Sequence, residues 1–156
     1  MTGKNNKHAV LRAWMYVLAQ GTLLVLLVFI EPNIGPQIHR SPLAGRLLEI
    51  LGVLGVLLSA ASLRRSLTAV PIPKEDGRLS TTGLYKYVRH PMYSSVLLLS
   101  LGISVSGGSL IKYLFVIFLY ILFYFKSLFE EKYLVLKYPK YPEYSARVPR
   151  FIPFTK

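Results

Sequence analysis

The sequence predicts an all-α integral membrane protein with about four transmembrane helices, and three observations lead to this prediction. Of its 156 residues, 53% are hydrophobic. These residues come in four blocks instead of alternating with polar stretches, and the Lys and Arg residues are concentrated outside the blocks. A block of about 20 apolar residues crosses a bilayer as a helix, because lipid leaves the backbone to satisfy its own hydrogen bonds. The four blocks are 13–30, 47–63, 92–106 and 110–125.

The first block follows a basic N-terminal tail, a combination that also begins a signal peptide. The block is long for the apolar region of a signal peptide. It is followed by Glu31-Pro32-Asn33 and not by a small-residue cleavage site. We therefore expect block 13–30 to be retained as the first span, with block 47–63 as the second.

The third and fourth blocks are joined by Ser106-Gly107-Gly108-Ser109, which predicts the tight turn of a helical hairpin. Both blocks are slightly short for a span. The fourth is expected to continue as one helix through Lys126, Glu130 and Leu134. The predicted single membrane domain, 1–156, therefore has two N-terminal spans (1–63), a loop (64–91), the hairpin (92–134) and a tail (135–156).

The distribution of basic residues predicts the orientation of these spans. The chain has a net charge of +12, with nineteen Lys and Arg against seven Asp and Glu. All but three of the basic residues lie in the N-terminal tail, in segment 64–91 or in segment 126–156; the exceptions are Arg40, Arg46 and Lys112. Because Lys and Arg accumulate in cytoplasmic loops, both termini and segment 64–91 are predicted to be cytoplasmic. We expect no nucleic-acid partner, since the positive charge flanks the membrane spans.

Composition and motifs narrow the chemistry. The chain has no cysteine, which excludes disulfides, thiolate metal ligands and cysteine nucleophiles. No G-x-G-x-x-G motif follows a predicted strand, so a Rossmann dinucleotide site is not expected. No metal site is predicted.

The segment Arg89-His90-Pro91-Met92-Tyr93 is the first candidate site. Proline disfavours helix in the residue before it and suits the first turn of the helix after it, so His90 is predicted to lie where the third span begins. A helix start offers free N–H groups and the positive end of the dipole, which suit a carboxylate or phosphate. The alternative is a belt of Tyr and Arg that anchors the helix end to lipid headgroups.

The second candidate is Lys126, Glu130 and Glu131, near the predicted end of the fourth helix. Lys126 and Glu130 are four residues apart and so share a helix face. Ionisable residues just inside an apolar helix are expensive and are candidates for function. The alternative is a helix emerging into water, where such charges are ordinary.

The tail, from Tyr138 onwards, is rich in tyrosine and proline and is predicted to be an extended strap packed against the mouth of the helices. The alternative is a basic tail that binds headgroups.

Together these motifs resemble the isoprenylcysteine carboxyl methyltransferases and the wider group that includes the phospholipid N-methyltransferases. The resemblance covers roughly residues 77–154. It lies in the order and spacing of four motifs, which are Gly83-Leu84-Tyr85, Arg89-His90-Pro91-Met92-Tyr93, Glu130-Glu131-x-x-Leu134 and Tyr141-x-x-Tyr144-x-x-x-Val148-Pro149-Arg150-Phe151-Ile152-Pro153.

The resemblance implies a membrane enzyme that binds S-adenosyl-L-methionine. It implies that Glu130, Lys126 and His90 are catalytic. Lys126 stands where the family has a substrate-binding arginine, and lysine lacks the bidentate fork that matches a carboxylate. The cofactor-binding residues that it implies are Gly77, Arg78, Leu79, Ser80, Tyr85, His90, Pro91, Met92, Tyr93 and Glu130.

Two classes of function remain open from the sequence. The first is a methyltransferase for a lipophilic acceptor, either O-methylating a carboxylate such as a prenylated cysteine or N-methylating a membrane phospholipid such as phosphatidylethanolamine. The second is a non-catalytic protein that binds anionic membrane lipid through its basic face.

Overall fold

The computed structural model of the chain describes residues 3–31 and 34–155, without the side chains of residues 3–6 and 65. Three of the basic residues that predict the orientation, Lys4, Arg65 and Lys156, therefore have side chains outside the described part. The described residues form five α-helices and no β-strand. The helices are α1 (Gly3–Phe29), α2 (Pro42–Leu63), α3 (Pro91–Gly107), α4 (Leu110–Lys137) and α5 (Tyr141–Arg147).

The predicted class of all-α integral membrane protein is confirmed. Within the described residues, three stretches are long and apolar enough to cross a membrane, and these are Lys7–Phe29 of α1, Pro42–Leu63 and Leu110–Lys137. The third helix in chain order, α3, is apolar but has only 17 residues. At 1.5 Å per residue it is about 26 Å long, somewhat less than the ~30 Å hydrocarbon core of a bilayer. The expected four spans are thus three long helices and a shorter one.

The predicted hairpin turn between α3 and α4 is also confirmed, and Gly108 explains its tightness. Its φ of 70° lies in the left-handed region that glycine adopts without strain. A side chain here would also meet the carbonyl oxygen of Ile38, since an added Cβ would lie 2.9 Å from that atom. The N–H of Ile38 donates to the Gly108 carbonyl at 2.8 Å, which ties the α1–α2 connection to the hairpin turn.

Small residues bring α2 and α3 into close contact along their lengths. An added Cβ at Gly52 would lie 2.6 Å from the backbone nitrogen of Leu99, and one at Gly102 would lie 2.7 Å from that of Glu49. Glycine allows this approach, and helices in membranes associate largely through such packing. The polar Glu49 in this region accepts hydrogen bonds from Ser106 and Arg46.

The other two long helices complete the bundle. The α4 helix packs against α3 and α1, while α2 packs mainly against α3. As expected, α4 continues through Lys126, Glu130 and Leu134 as one helix. Its 28 residues span about 42 Å, more than a hydrocarbon core requires, so one end of α4 reaches beyond the apolar layer. Residues 64–90 and the C-terminal tail cover that end of the bundle, which we call the site end.

The prediction of an extended tail is partly wrong, because residues Tyr141–Arg147 form the short helix α5. Pro142 lies in the first turn of α5, where a backbone N–H has no helical partner to lose. After α5, the chain continues through bends and turns to Thr155. Packing of the tail against the helix ends, which the sequence also predicted, is confirmed by hydrogen bonds given below.

Candidate active site

A cavity of about 410 Å³ opens at the site end, between helices α1 to α4 and the segment that joins α2 to α3. Apolar side chains such as Val17 of α1, Val56 of α2 and Val96 of α3 form part of its wall. Polar and charged side chains from the connecting segment and the ends of α3 and α4 form the rest. The cavity is therefore bounded by lipid-embedded helices and by the polar end of the bundle.

Most of the predicted site residues meet in this cavity. Nine of them line it: Arg78, Leu79, Ser80, Tyr85, His90, Met92, Tyr93, Lys126 and Glu130. Two do not. Pro91 is fully buried in the first turn of α3. Gly77 forms a turn in which its N–H donates to the Lys74 carbonyl at 3.0 Å. The geometry brings the set together, and the role of each residue stays a prediction.

His90 is held at the start of α3, as the sequence predicted. It is the residue immediately before the helix, and Pro91 occupies the first helical position. The N–H of His90 donates to the carbonyl of Arg150 at 3.1 Å, so the tail fixes the backbone at this point. The imidazole is buried and stacks in parallel on the ring of Tyr93, with ring centres 5.3 Å apart.

Two consecutive glutamates of α4 lie on either side of this imidazole. The Nδ1 atom of His90 is 3.6 Å from Oε2 of Glu130, and its Nε2 atom is 3.0 Å from Oε1 of Glu131. Because an ionised carboxylate only accepts, the hydrogen of the contact with Glu131 belongs to Nε2 of His90. Glu130 also accepts a hydrogen bond of 2.7 Å from the Tyr93 hydroxyl. Glu130 lines the cavity, whereas Glu131 faces the tail.

Glu131 contacts three side chains behind the cavity, which are His90, Arg89 and Arg150. Arg150 donates to it from Nε at 3.1 Å and from Nη2 at 2.8 Å. The Nε atom of Arg89 lies 3.1 Å from Oε1 of Glu131 but is poorly aligned for a hydrogen bond, so this contact is a charge pair only. The hydrogen bond to Glu131 raises the pKa of Arg150 above its ordinary value.

Four further hydrogen bonds hold the tail against the start of α3. The Arg89 side chain donates to the Ser145 carbonyl at 2.6 Å, and the Arg89 N–H donates to the Pro149 carbonyl at 2.8 Å. The hydroxyl of Ser94 donates to the carbonyl of Phe151, and that of Tyr144 donates to the carbonyl of Tyr85. The tail thus positions one wall of the cavity.

Lys126 forms a different part of the cavity wall. Only 4% of this residue is exposed, and its ammonium donates to the Gln20 side-chain oxygen of α1 at 2.6 Å. The same Nζ atom lies 5.0 Å from the centre of the Tyr93 ring, within cation–π range. Glu130 lies on the same helix face, but the hydrogen-bond partner of the Lys126 ammonium is Gln20. The result is a cation held at the cavity between α1, α3 and α4.

Several tyrosines near the polar part of the cavity are buried. Burial, with a further contribution from the Glu130 carboxylate, raises the pKa of the Tyr85 hydroxyl above its ordinary value. Burial likewise raises the pKa of Tyr141. Both hydroxyls are therefore protonated near neutral pH. The Tyr141 hydroxyl is buried and has no hydrogen-bond partner among residues 3–31 and 34–155, although Tyr141 lines the cavity.

Some residues of the site were not predicted from the sequence. Gln20 was no more than a polar interruption of the first block, and nothing in its neighbourhood pointed to Lys126, 106 residues away. Tyr141 was part of a motif but carried no predicted role. Arg150 was a basic residue of the tail, and its pairing with Glu131 depends on how the tail folds back.

A sequence model of the phospholipid methyltransferase family matches residues 41–141. The chain belongs to this family. The match extends from the residue before α2 to the first residue of α5 and includes every predicted site residue, whereas Gln20 and Arg150 lie outside it. Family membership confirms the predicted wider group of membrane methyltransferases; the isoprenylcysteine subgroup stays a prediction.

A curated relative is the cobalt-zinc-cadmium resistance protein CzcN of Cupriavidus metallidurans, with 34% identity over 109 residues. The aligned part is 69% of this chain and 50% of CzcN, so the chain spans about half the length of that relative. Like its family, the chain is a multi-pass integral membrane protein.

Proposed function

We propose that this chain is an S-adenosylmethionine-dependent methyltransferase that methylates a carboxylate on a lipophilic acceptor such as an isoprenylcysteine. One observation carries the proposal. The cavity joins a polar group of side chains, His90, Tyr93 and Glu130, to the buried cation Lys126, with apolar helix surface beside both. A soluble methyl donor and a lipid-dissolved acceptor need such a site, because each arrives from a different phase.

The polar side chains of the cavity fit the cofactor. When bound, S-adenosylmethionine would supply a methyl group on a sulfonium, and passing it to a carboxylate oxygen breaks the carbon–sulfur bond and leaves a neutral thioether. The Glu130 carboxylate, which receives the Tyr93 hydroxyl, provides negative charge and acceptor oxygens for the donor's amino or hydroxyl groups. The Tyr85 and Tyr93 rings provide aromatic surface for the adenosine or the sulfonium. Arg78, Ser80 and the start of α3 would receive its polar end.

Lys126 would bind the acceptor. Its ammonium is desolvated and fixed by Gln20, so an anionic group that enters the cavity meets a charge held in one place. Such positioning lowers the barrier to an in-line displacement, because the reacting atoms are already aligned. The acceptor's apolar chain would lie between α1 and α2, which both line the cavity while packing mainly against α4 and α3 respectively.

The need for a general base favours a carboxylate over an amine as the methyl acceptor. A carboxylate is ionised at neutral pH and attacks without losing a proton, so no general base is required. His90, the side chain best suited to such work, is already engaged by Glu131 through Nε2 and lies against Glu130 through Nδ1. His90 would instead orient Glu130 and form part of the wall of the cofactor site.

The second candidate function is N-methylation of a phospholipid of the phosphatidylethanolamine type. It is favoured by the family match over residues 41–141 and by the Glu130 carboxylate in the cavity. A protonated amine must first lose a proton, which Glu130 or His90 would accept. Lys126 would then bind the lipid phosphate.

We further propose that both termini and segment 64–91 are cytoplasmic, on the side where the cofactor is found, as the distribution of basic residues supports.

The test incubates purified protein in lipid vesicles with methyl-labelled S-adenosylmethionine and two acceptors in parallel, a prenylcysteine analogue and phosphatidylethanolamine. Base-labile label on the prenylcysteine analogue, the property of a methyl ester, is the expected result. Base-stable label on the phospholipid, with a rate that rises steeply above neutral pH, would replace the proposal by the second candidate.

Cofactor binding separates both candidates from a non-catalytic lipid-binding protein. Glu130→Ala and His90→Ala are expected to weaken binding of S-adenosylmethionine by at least tenfold. Glu143→Ala alters an exposed carboxylate of α5 and serves as the control. Wild-type protein that binds no S-adenosylmethionine would leave lipid binding as the remaining function. Unchanged binding in both site variants would contradict the proposed place of the cofactor.

A further inference from the structure

The hydroxyl of Tyr141 is a buried polar group without a hydrogen-bond partner among the described residues. Tyr141 is 2% exposed, and its hydroxyl makes no hydrogen bond within the part of the chain that the structure describes. Its ring packs edge-on against Tyr144, with ring centres 5.9 Å apart. Most buried polar atoms in folded proteins have a partner, so each exception calls for a physical reason.

Tyr144, three residues further along α5, is a neighbouring tyrosine with a structural role. It is also buried, and its hydroxyl donates to the Tyr85 carbonyl at 2.6 Å. That bond links the tail to the segment before α3. Tyr141 forms no such link, although a phenylalanine at position 141 would fill the same space without burying an unpaired hydroxyl. Packing alone therefore does not explain the oxygen atom.

The position of Tyr141 supplies the reason. The residue lines the same cavity as Tyr85, Arg89 and Glu130, at the polar end formed by the tail and the connecting segment. Burial and the nearby Glu131 carboxylate raise the pKa of Tyr141, whereas Arg89 lowers it, and the net direction is upward. The hydroxyl thus keeps its hydrogen, and no acceptor among the described residues uses it.

We propose that the Tyr141 hydroxyl is a cofactor-binding group, which donates a hydrogen bond to an oxygen or nitrogen acceptor of the bound adenosyl cofactor. The inference rests on the proposed function, since it assigns the polar end of the cavity to the methyl donor. It adds a residue from the tail to a site otherwise made by α3, α4 and the connecting segment. The tail then forms one wall of the cavity and also contributes a cofactor contact.

The test measures binding of S-adenosylhomocysteine, the demethylated product, to detergent-purified wild type and to Tyr141→Phe. The variant loses one oxygen atom and keeps the ring. We expect its dissociation constant to rise about five- to tenfold, the range for one hydrogen bond. Without ligand, its melting temperature is expected to equal or exceed that of wild type, because an unpaired buried hydroxyl has been removed. The increase in melting temperature on adding S-adenosylhomocysteine should shrink.

Tyr144→Phe is the matched control. It is expected to lower the melting temperature without ligand, because it removes the bond to the Tyr85 carbonyl. If wild type binds S-adenosylhomocysteine and Tyr141→Phe binds it equally well, the role of Tyr141 is overturned while the proposed function stands. If Tyr141→Phe is destabilised as much as Tyr144→Phe without ligand, the hydroxyl has a structural role and the inference is also overturned. Absence of binding by wild type would overturn the proposed function itself.

Discussion

Arg150 of the tail binds Glu131 of α4 through two hydrogen bonds, of 3.1 Å from Nε and 2.8 Å from Nη2. Both side chains are largely buried, with 21% of Arg150 and 14% of Glu131 exposed. Paired hydrogen bonds between arginine and a carboxylate are directional as well as strong. The pair therefore sets the position of the tail relative to α4, and with it the wall of the cavity that contains Tyr141.

Glu131→Gln is expected to loosen the tail more than it affects the rest of the bundle. The change leaves Arg150 and Arg89 without their shared carboxylate in a largely buried setting. Removing one partner of a buried ion pair costs about 3–5 kcal/mol, and we expect about 2 kcal/mol here because both groups retain some exposure. The measurements are the melting temperature and the rate of tryptic cleavage after Arg147 and Arg150.

The control for this variant is Glu143→Gln. It removes the carboxylate of the ion pair between Glu143 and Arg147, whose side chains are 71% and 72% exposed. Such surface pairs contribute little, so neither the melting temperature nor the cleavage rate should change measurably. Equal effects of the two substitutions would contradict the assignment of Glu131 as the anchor of the tail.

Gln20→Leu is expected to impair acceptor binding while leaving cofactor binding intact. The substitution removes the oxygen that accepts from Lys126 at 2.6 Å, so the ammonium loses its fixed position. We predict a rise of about tenfold in the KM for the acceptor, which corresponds to about 1.4 kcal/mol, and an unchanged dissociation constant for S-adenosylhomocysteine. The KM is obtained from initial rates at varied acceptor concentration, and the dissociation constant of S-adenosylhomocysteine from a direct binding measurement.

A double-mutant cycle with Lys126→Met provides the control. If Gln20 acts by holding Lys126, the double variant should be no worse than Lys126→Met alone, since the two residues act as one unit. Independent effects that add in the double variant would show that Gln20 acts elsewhere.

Local sequence patterns were sufficient to place His90 and Glu130 at the same end of the α3–α4 hairpin. Pro91 marks the start of α3, and the glycines at 107 and 108 mark a hairpin turn. A helix that starts after such a turn and runs through Glu130 must return to the level of His90. The two residues are therefore expected at the same level of the hairpin, and in the structure Nδ1 of His90 lies 3.6 Å from Oε2 of Glu130.

Other contacts could not be predicted in this way, because they depend on packing between distant segments. Which of the consecutive residues Glu130 and Glu131 faces the cavity depends on the rotation of α4. That rotation is not determined by the sequence, because apolar residues lie on all sides of the membrane-spanning part of the helix. The pairing of Gln20 with Lys126 requires α1 to lie against α4. The short helix α5 is not predicted, because the prolines and aromatic residues of the tail argue against a long helix, although proline is well tolerated in a first turn.

A pH dependence is predicted for the hydrogen bond from Tyr144 to Tyr85. Burial raises the pKa of Tyr144 from 10.0 to about 12 in the folded protein. A raised pKa favours the protonated form on folding, so its contribution to stability is fully present below pH 10 and is lost as the pH rises towards 12. The difference in melting temperature between wild type and Tyr144→Phe should thus be largest at neutral pH and shrink above pH 10. A constant difference from pH 8 to pH 12 would contradict this.

The close packing of α2 against α3 predicts that Gly52→Ala destabilises the protein. The added Cβ would lie 2.6 Å from the backbone nitrogen of Leu99, and a backbone atom cannot move aside as a side-chain end can. Overpacking of this kind costs about 1–3 kcal/mol, measured as a lower melting temperature in detergent. Gly21→Ala is the matched control, because no atom of the described residues lies within 4 Å of its added Cβ, apart from its chain neighbours and the nearby backbone of its own helix. Alanine there should be neutral or stabilising, since it favours helix over glycine. Equal melting temperatures for the two variants would mean that α2 and α3 are farther apart in the membrane.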